Sequence, residues 1–302
     1  MEGGIINIDI LGSFKTTDCF NGINTINNAI DIDEFQLFFS DQIHIKIDSI
    51  FLPSKILIYL GHFLHKYETL GKDIHLSLST KKLYNFVTGS GFSKFINTRE
   101  VQESNLPDSV ILPFSKVGTQ IEFRTYLDKF KGRLIYSKSE IIEFISELQY
   151  NSIEHGRTSD IYIMGQMYPS NKLIDITVYD AGLGMTSTDF NKIVEEVYDN
   201  FTTKEFYEYI CKLYGLNVYF IILCTCTSFS TKGLNVGGWG LLNLSKFLYS
   251  NNGIIQIITG KTFVELKFNK ICSKLDNNSL ILKVNEMSKP IVGTYISFTF
   301  SV

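Results

Sequence analysis

Apolar and polar residues alternate with the period of an α-helix over residues 137–156, SKSEIIEFISELQYNSIEHG. Ser137 and Glu140 have the spacing of a capping box, and Gly156 suits a helix C-terminus. The apolar positions that would form one buried face are Ile141, Phe144, Ile145 and Leu148. The residues that stack along another face, each four positions after the last, are Glu143, Glu147, Asn151 and His155. Because an exposed helix face usually carries lysine as well as glutamate, we interpret this second face as the wall of a functional site.

The first third of the chain shows an alternation of strand and helix patterns. The segments that predict strands are 5–10, at the edge of a sheet, 42–47 and 73–78. The segments that predict helices are 56–67, which follows Pro53, and 81–88. Such an order predicts a small parallel or mixed α/β sheet.

The remainder of the chain predicts a second region of helices and strands. The predicted helices are 120–130, 138–155 and 241–249, and the predicted strands are 160–168, 173–179, 253–259, 262–268 and 293–300. Residues 104–118 contain two prolines and no clear period, so we interpret them as a junction. The predicted fold class is α/β, with one domain at 1–105, a junction at 106–117 and a second domain at 118–302.

Composition limits the kinds of function that the chain could have. Of its 302 residues, 44% are hydrophobic and 20% are charged, which is ordinary for a soluble globular protein of two domains. A formal net charge of −3 gives no overall field that would attract nucleic acid or an anionic membrane. The N-terminus lacks the features of a signal peptide, and the most apolar run, 218–226, is too short to cross a bilayer. We therefore predict a cytoplasmic protein without nucleic-acid or membrane partners, whose five cysteines are free thiols.

Residues 44–96, HIKIDSIFLPSKILIYLGHFLHKYETLGKDIHLSLSTKKLYNFVTGSGFSKFI, resemble a STAS-type domain, the small fold of anti-sigma-factor antagonists. In that family a serine after an aspartate at the start of the first helix accepts a phosphoryl group. The resemblance therefore points to Ser49, which follows Asp48, or to Ser54. The intervening residues, Ile50 to Pro53, depart from the usual turn of small residues. The alternative is that Ser49 is a turn residue and Ser54 a helix-start residue.

Four glycine-containing motifs follow one another in the second domain. They are ELQYNSIEHG at 147–156, DAGLG at 180–184, GGWGL at 237–241 and GT at 293–294. In this order they resemble the Bergerat-fold (GHKL, histidine-kinase-like) ATPases, the superfamily of DNA gyrase, Hsp90, MutL and histidine kinases. Among these, the ATP-binding domains of anti-sigma-factor serine kinases are the most similar. The resemblance implies a mixed sheet with helices on one face and the cofactors ATP and Mg²⁺.

The resemblance also implies roles for individual residues. Asn151 would bind Mg²⁺ through its amide oxygen, a hard neutral ligand for a metal already held by phosphate and water oxygens. Asp180 would accept the exocyclic amine of adenine, while Gly182 and Gly184 would let the backbone approach the base. Thr294 would support the adenine contact, although an ordinary strand threonine is an equally good interpretation.

A second set of residues would contact the phosphates. Gly237, Gly238 and Gly240 precede or open a helix, so their backbone N–H groups could face an anion. Lys232 would contact the γ-phosphate or is a solvated loop lysine. His155 would contact phosphate, support such a contact, or pack as an ordinary histidine.

Glu147 is the candidate catalytic residue, since it could deprotonate water, or a protein hydroxyl, for attack on the γ-phosphate. The insert at about 186–236, whose apolar middle at 204–227 predicts a helix, would be an ATP lid. We predict a Mg²⁺-dependent ATP-binding protein that hydrolyses ATP and whose lid signals the nucleotide state to the STAS-like domain or to a protein partner. A protein serine kinase and a non-catalytic ATP-binding regulatory module are the alternatives, and either a monomer or a homodimer is compatible with the sequence.

Overall fold

The computed structural model describes residues 4–11, 14, 19–30, 36–37, 40–49, 51–92, 108–134, 139–185, 198–229, 239–270 and 274–301. They form two compact units, Met1–Ser115 with Tyr162–Met167 and Lys116–Ile161 with Tyr168–Val302. Helices accompany a parallel sheet in the first unit and antiparallel strand pairs in the second, which confirms the predicted α/β fold class. Within the described ranges, no helix is both long enough and apolar enough to cross a membrane.

A parallel three-stranded sheet organises the first unit. Its strands, in the spatial order β1-β2-β3, are β1 (Gly4–Leu11), β2 (Ser40–Asp48) and β3 (Asp73–Leu78). The longer helices among the described residues of this unit are α1 (Cys19–Ala29), α2 (Ser54–Thr69) and α3 (Lys81–Val87). The isoleucines that alternate along β2, Ile43, Ile45 and Ile47, are fully buried. The parallel sheet and the edge position of β1 are therefore as the sequence pattern predicted.

Neither serine that the STAS resemblance singled out presents its hydroxyl to solvent. Ser54 is fully buried in the first turn of α2, and its N–H donates to the side-chain oxygen of Gln166 at 3.0 Å. Ser49 is 5% exposed, and its hydroxyl donates to the carbonyl of Phe51 at 2.8 Å. Both residues therefore behave as the turn and helix-start residues of the alternative interpretation.

Residues that we interpreted as a junction form a strand. This strand, β4 (Val110–Lys116), is buried over its first five residues, VILPF, on both faces. A strand that is covered on both faces has no alternation of apolar and polar residues, so the period-2 criterion missed it. Phe114 packs so closely on α2 that a Cβ at Gly61 would collide with its ring. The predicted domain limits of 1–105 and 118–302 remain a prediction.

The second unit combines five helices with long antiparallel strands among its described residues. The helices are α4 (Gln120–Phe130), α5 (Ser139–Glu154), α6 (Lys204–Tyr214), α7 (Leu216–Cys226) and α8 (Trp239–Ser250). The remaining strands among the described residues are β5 (Ile161–Tyr168), most of which belongs to the first unit, and β6 (Leu173–Asp180), β7 (Ile254–Phe268) and β8 (Leu280–Ser301) of the second unit. Strand β8 lies between β6 and β7 and pairs antiparallel with both.

Strand β7 reverses direction at Gly260, which has a φ of 55°. The side-chain nitrogen of Gln256 donates to a carboxylate oxygen of Glu265 at 2.5 Å, although the two residues are nine positions apart. In a straight strand they would be about 30 Å apart. The halves before and after Gly260 therefore face each other, in agreement with the two separate strands predicted at 253–259 and 262–268.

The middle of the predicted lid belongs to the core of the second unit. Helices α6 and α7 are separated by Gly215, which has a φ of 85°. Tyr219 of α7 is fully buried, and its hydroxyl hydrogen-bonds that of Thr202 at 2.5 Å. The other α7 residues that are at most 3% exposed are Val218, Phe220, Ile221, Ile222, Leu223 and Thr225. The two ends of the predicted lid, 186–197 and 230–236, lie outside the described residues. A lid formed by these ends stays a prediction.

Candidate functional site

Helix α5 has the two faces that its sequence predicted. The residues of its predicted apolar face, Ile141, Phe144, Ile145 and Leu148, are buried. Phe144 packs against Phe247 of α8 with ring centroids 5.4 Å apart. Along the other face, Glu143, Glu147 and His155 are exposed and Asn151 is partly exposed. The capping residue Ser137 lies outside the described residues.

A cavity of about 150 Å³ in the second unit lies between helices α5, α7 and α8 and strands β6 and β8. The predicted site residues that line it are Glu147, Asn151, His155, Asp180, Gly184, Gly240 and Thr294. Gly182 is not among the lining residues. Lys232, Gly237 and Gly238 fall outside the described residues. The structure thus brings together seven of the eleven residues that the motifs singled out.

Asp180 ends strand β6 and is 6% exposed. Burial raises the pKa of its carboxyl to about 6, and hydrogen bonds from Gly182, Ser152 and Thr294 partly oppose that rise. The Gly182 N–H donates to one carboxylate oxygen at 3.0 Å. Thr294 is the direct partner of Asp180 in the antiparallel pair of β6 and β8. The carboxylate is therefore fixed in place, yet it keeps an edge that lines the cavity.

Ser152 is a site residue that sequence reasoning missed. Its hydroxyl oxygen lies 2.9 Å from the carbonyl oxygen of Leu148 and 3.3 Å from a carboxylate oxygen of Asp180. A hydroxyl has one proton and can donate to only one of these acceptors at a time. A buried helix serine commonly bonds back to the preceding turn, so its sequence position carries no signal of the second contact.

The turn after β6 is held against the C-terminal end of α5. The Leu183 N–H donates to the carbonyl of Gly156 at 3.0 Å. A Cβ at Gly182 would collide with the Gly156 backbone, and a Cβ at Gly156 would lie 3.1 Å from a carboxylate oxygen of Asp180. Gly182 therefore positions the turn rather than lining the cavity, and both glycines allow Asp180 to approach the helix.

The first turn of α8 lies directly against Glu147. A Cβ at Gly240 would lie 3.0 Å from a carboxylate oxygen of Glu147. Only a glycine leaves room for the glutamate side chain beside this helix N-terminus, where unpaired backbone N–H groups favour negative charge. We call this part of the cavity, formed by Glu147 and Gly240, the helix end.

The opposite part of the cavity, the sheet end, is formed by Asp180, Thr294 and the neighbouring apolar side chains of Val178 and Ile296. Along the α5 axis, Ser152, which contacts Asp180, is about 7.5 Å beyond Glu147. A ligand that hydrogen-bonds Asp180 would therefore have to extend by several ångströms to reach Glu147. Asn151 lies one helical turn from Glu147, between the two levels.

Helix α7 supplies a wall that the sequence analysis did not assign to the site. The residues of this wall, including one just beyond the helix, are Phe220, Cys224 and Phe229. Burial raises the pKa of the Cys224 thiol to about 12, so at neutral pH it is an uncharged part of an apolar surface. Phe220 and Cys224 are one turn apart on α7, but the helix is apolar on all sides and its sequence does not reveal which side faces a ligand.

Comparisons with known proteins assign no family to the chain. Neither a protein-family model nor a curated protein matches the chain. Among solved structures, the ATPase and transducer domains of DNA topoisomerase II from Balamuthia mandrillaris match with 9% sequence identity and a TM-score of 0.30. The match covers 52% of this chain and 36% of that one, and at this TM-score it carries no argument about function.

Proposed function

We propose that the second unit binds ATP together with Mg²⁺ and hydrolyses the nucleotide. The observation that carries this proposal is the cavity itself, which is lined by Asp180 and Thr294 at one end and by Glu147 and Gly240 at the other. These residues come from separate motifs of the sequence. Their convergence on one cavity is the arrangement that the Bergerat resemblance requires.

The sheet end has the properties of a pocket for adenine. It combines apolar side chains, which suit the faces of a planar ring, with a buried carboxylate acceptor, which suits the exocyclic amine. A cavity of about 150 Å³ accepts an aromatic ring in an engineered apolar core. With a pKa of about 6, Asp180 is mostly ionised at neutral pH and can accept that hydrogen bond.

Asn151 fits the role of the protein ligand to Mg²⁺. It lines the cavity, and among the described residues no side-chain hydrogen bond occupies its amide. Magnesium usually takes only one or two protein ligands and completes its shell with phosphate oxygens and water. The bound ion would neutralise negative charge on the phosphates.

Glu147 fits the role of general base. Its carboxylate is exposed and lies beside the N-terminus of α8, where a phosphate anion would be favoured. From there it could take a proton from a water molecule that attacks the terminal phosphate. Removal of such a base typically lowers the rate by a factor of about 100 to 10,000.

The test separates binding from turnover with a matched pair of variants on one helix face. Glu147→Gln should reduce phosphate release from ATP about 100-fold or more and should leave the thermal stabilisation by ATP and Mg²⁺ intact. The control Glu143→Gln changes an exposed glutamate one turn earlier that does not line the cavity, so both readouts should match the wild type. Equal phosphate release by wild type and Glu147→Gln would refute the assignment of the base.

An assay with γ-labelled ATP, run beside the measurements of phosphate release and thermal stabilisation, distinguishes the two alternatives. Transfer of label from γ-labelled ATP to a serine would indicate a protein kinase, and stabilisation without either reaction would indicate a regulatory binding module. The burial of Ser49 and Ser54 disfavours these two serines of the first unit as phosphoacceptors. We propose that the first unit, with its STAS-like sequence, or a separate protein responds to the nucleotide state.

A further inference from the structure

A row of three polar residues crosses the sheet of the second unit at the edge of the cavity. Asp180 of β6 is paired with Thr294 of β8, and Thr294 is paired with Thr259 of β7. Side chains of directly paired residues in an antiparallel sheet point to the same face. Thr259 therefore lies on the same face as Asp180 and Thr294, although it does not line the cavity itself.

Thr259 is 1% exposed, and its hydroxyl both accepts and donates a hydrogen bond. It accepts the N–H of Met185 at 2.9 Å and donates to the carbonyl oxygen of Gly293 at 3.2 Å. Met185 ends the described part of the turn that begins at Asp180, and Gly293 immediately precedes Thr294. One hydroxyl thus ties the turn that begins at Asp180 to the segment of β8 that carries Thr294.

The backbone around this hydroxyl is shaped to receive it. Gly184 has a φ of 84°, and a Cβ at this position would lie only 2.7 Å from the Thr259 oxygen. Gly293 has a φ of 79°, and a Cβ there would collide with the carbonyl oxygen of Asp180. The turn after β6 and this segment of β8 therefore approach so closely that a small shift of either one would move the Asp180 carboxylate.

We infer that Thr259 is a positioning residue for recognition of the base, acting on Asp180 through the turn after β6 and through the β8 segment at Gly293. This inference rests on the proposed function, because it assumes that Asp180 accepts the amine of adenine. A positioning role predicts a specific defect: loss of the hydroxyl should weaken the contact to the amine and leave the rest of the nucleotide contacts intact.

The experiment compares the affinities for ATP and for purine riboside triphosphate, which lacks the 6-amino group, by calorimetric titration in the presence of Mg²⁺. Thr259→Val keeps the shape of the side chain and removes both hydrogen bonds. Its affinity for ATP should fall about 10-fold, the worth of one good hydrogen bond, and its affinity for the analogue should stay unchanged. Thr259→Ser keeps the hydroxyl and should restore the wild-type preference for ATP.

Two controls keep the outcome interpretable. Thr262→Val makes the same change on the other half of β7. Among the described residues, the Thr262 side chain makes no hydrogen bond, so this variant should bind both nucleotides like the wild type. If Thr259→Val does not fold, as judged by its unfolding transition, Thr259→Ala removes the same two hydrogen bonds without a branched side chain and takes its place.

Each outcome decides a different claim. A wild-type protein that binds neither nucleotide would overturn the proposed function, and this inference with it. The positioning role alone would be overturned by a second outcome, in which the wild type prefers ATP and Thr259→Val keeps the same preference. The same conclusion would follow if Thr259→Val lost affinity for both nucleotides equally.

Discussion

The two ends of the cavity are built in different ways. At the sheet end, Asp180 is 6% exposed and is held by hydrogen bonds from two other segments of the chain. At the helix end, Glu147 is exposed and lies beside Gly240. The sheet end is thus preorganised before any ligand binds, whereas the helix end presents a carboxylate that can still adjust. The proposed recognition of adenine needs a rigid acceptor and the proposed proton transfer needs an accessible carboxylate, and the two groups lie at separate ends of the cavity.

The largest expected effect comes from breaking the rigidity of the sheet end. In Gly293→Ala, the new methyl group would collide with the Asp180 carbonyl at a residue whose φ is 79°. We expect the free energy of unfolding to fall by about 3 kcal/mol, as strain and overpacking each typically cost 1–3 kcal/mol. Denaturant titration measures the loss.

The matched control is Gly132→Ala, because a Cβ at Gly132 would meet no atom within 4 Å. Its free energy of unfolding should stay within about 0.5 kcal/mol of the wild type. Equal stability of the Gly293 and Gly132 variants would mean that Gly293 does not approach the Asp180 carbonyl closely.

An effect of similar size should appear when pH changes the charge at the sheet end alone. The pKa of Asp180 is raised from 3.8 to about 6, so folding favours its protonated form. This group therefore contributes roughly 3 kcal/mol to the stability of the nucleotide-free protein below pH 4, and the contribution is lost as the pH rises through 6.

ATP binding should have the opposite pH dependence, because only the ionised carboxylate accepts the amine well. We expect the affinity for ATP to be constant above about pH 7 and to fall about tenfold per pH unit below 6. Calorimetric titration between pH 5 and 8 measures this profile. An affinity that stays flat down to pH 5 would show that the charge of Asp180 does not contribute to binding.

The sequence predicted those parts of the site that follow a local pattern. The line from Glu147 to His155 is visible because residues four apart on a helix share a face. Asp180 and its glycines are visible because the turn they form needs residues without a Cβ. In both cases the residues proposed to carry the chemistry lie within a few positions of the residues that set the backbone conformation.

The parts that were missed depend on contacts between distant segments. Thr259 looks like any strand threonine until its partners at Met185 and Gly293 are known. Strand β4 was interpreted as a junction, and helix α7 was assigned to a lid. Both segments are buried on all sides, so they have no polar face that would reveal the period of their apolar residues. A local pattern therefore predicts amphipathic elements well and central elements poorly.

The central claim is that Asp180 binds the base of ATP, and calorimetric titration of ATP with Mg²⁺ into wild type and Asp180→Ala tests it most directly. The control is Asp160→Ala, since the Asp160 carbonyl bonds the same turn at Ala181 while its side chain pairs with Lys116 outside the cavity. Loss of a hydrogen bond to a charged acceptor should weaken ATP binding by about 100-fold in Asp180→Ala and leave Asp160→Ala within a few-fold of the wild type. A folded Asp180→Ala protein that binds ATP as tightly as the wild type would contradict the account.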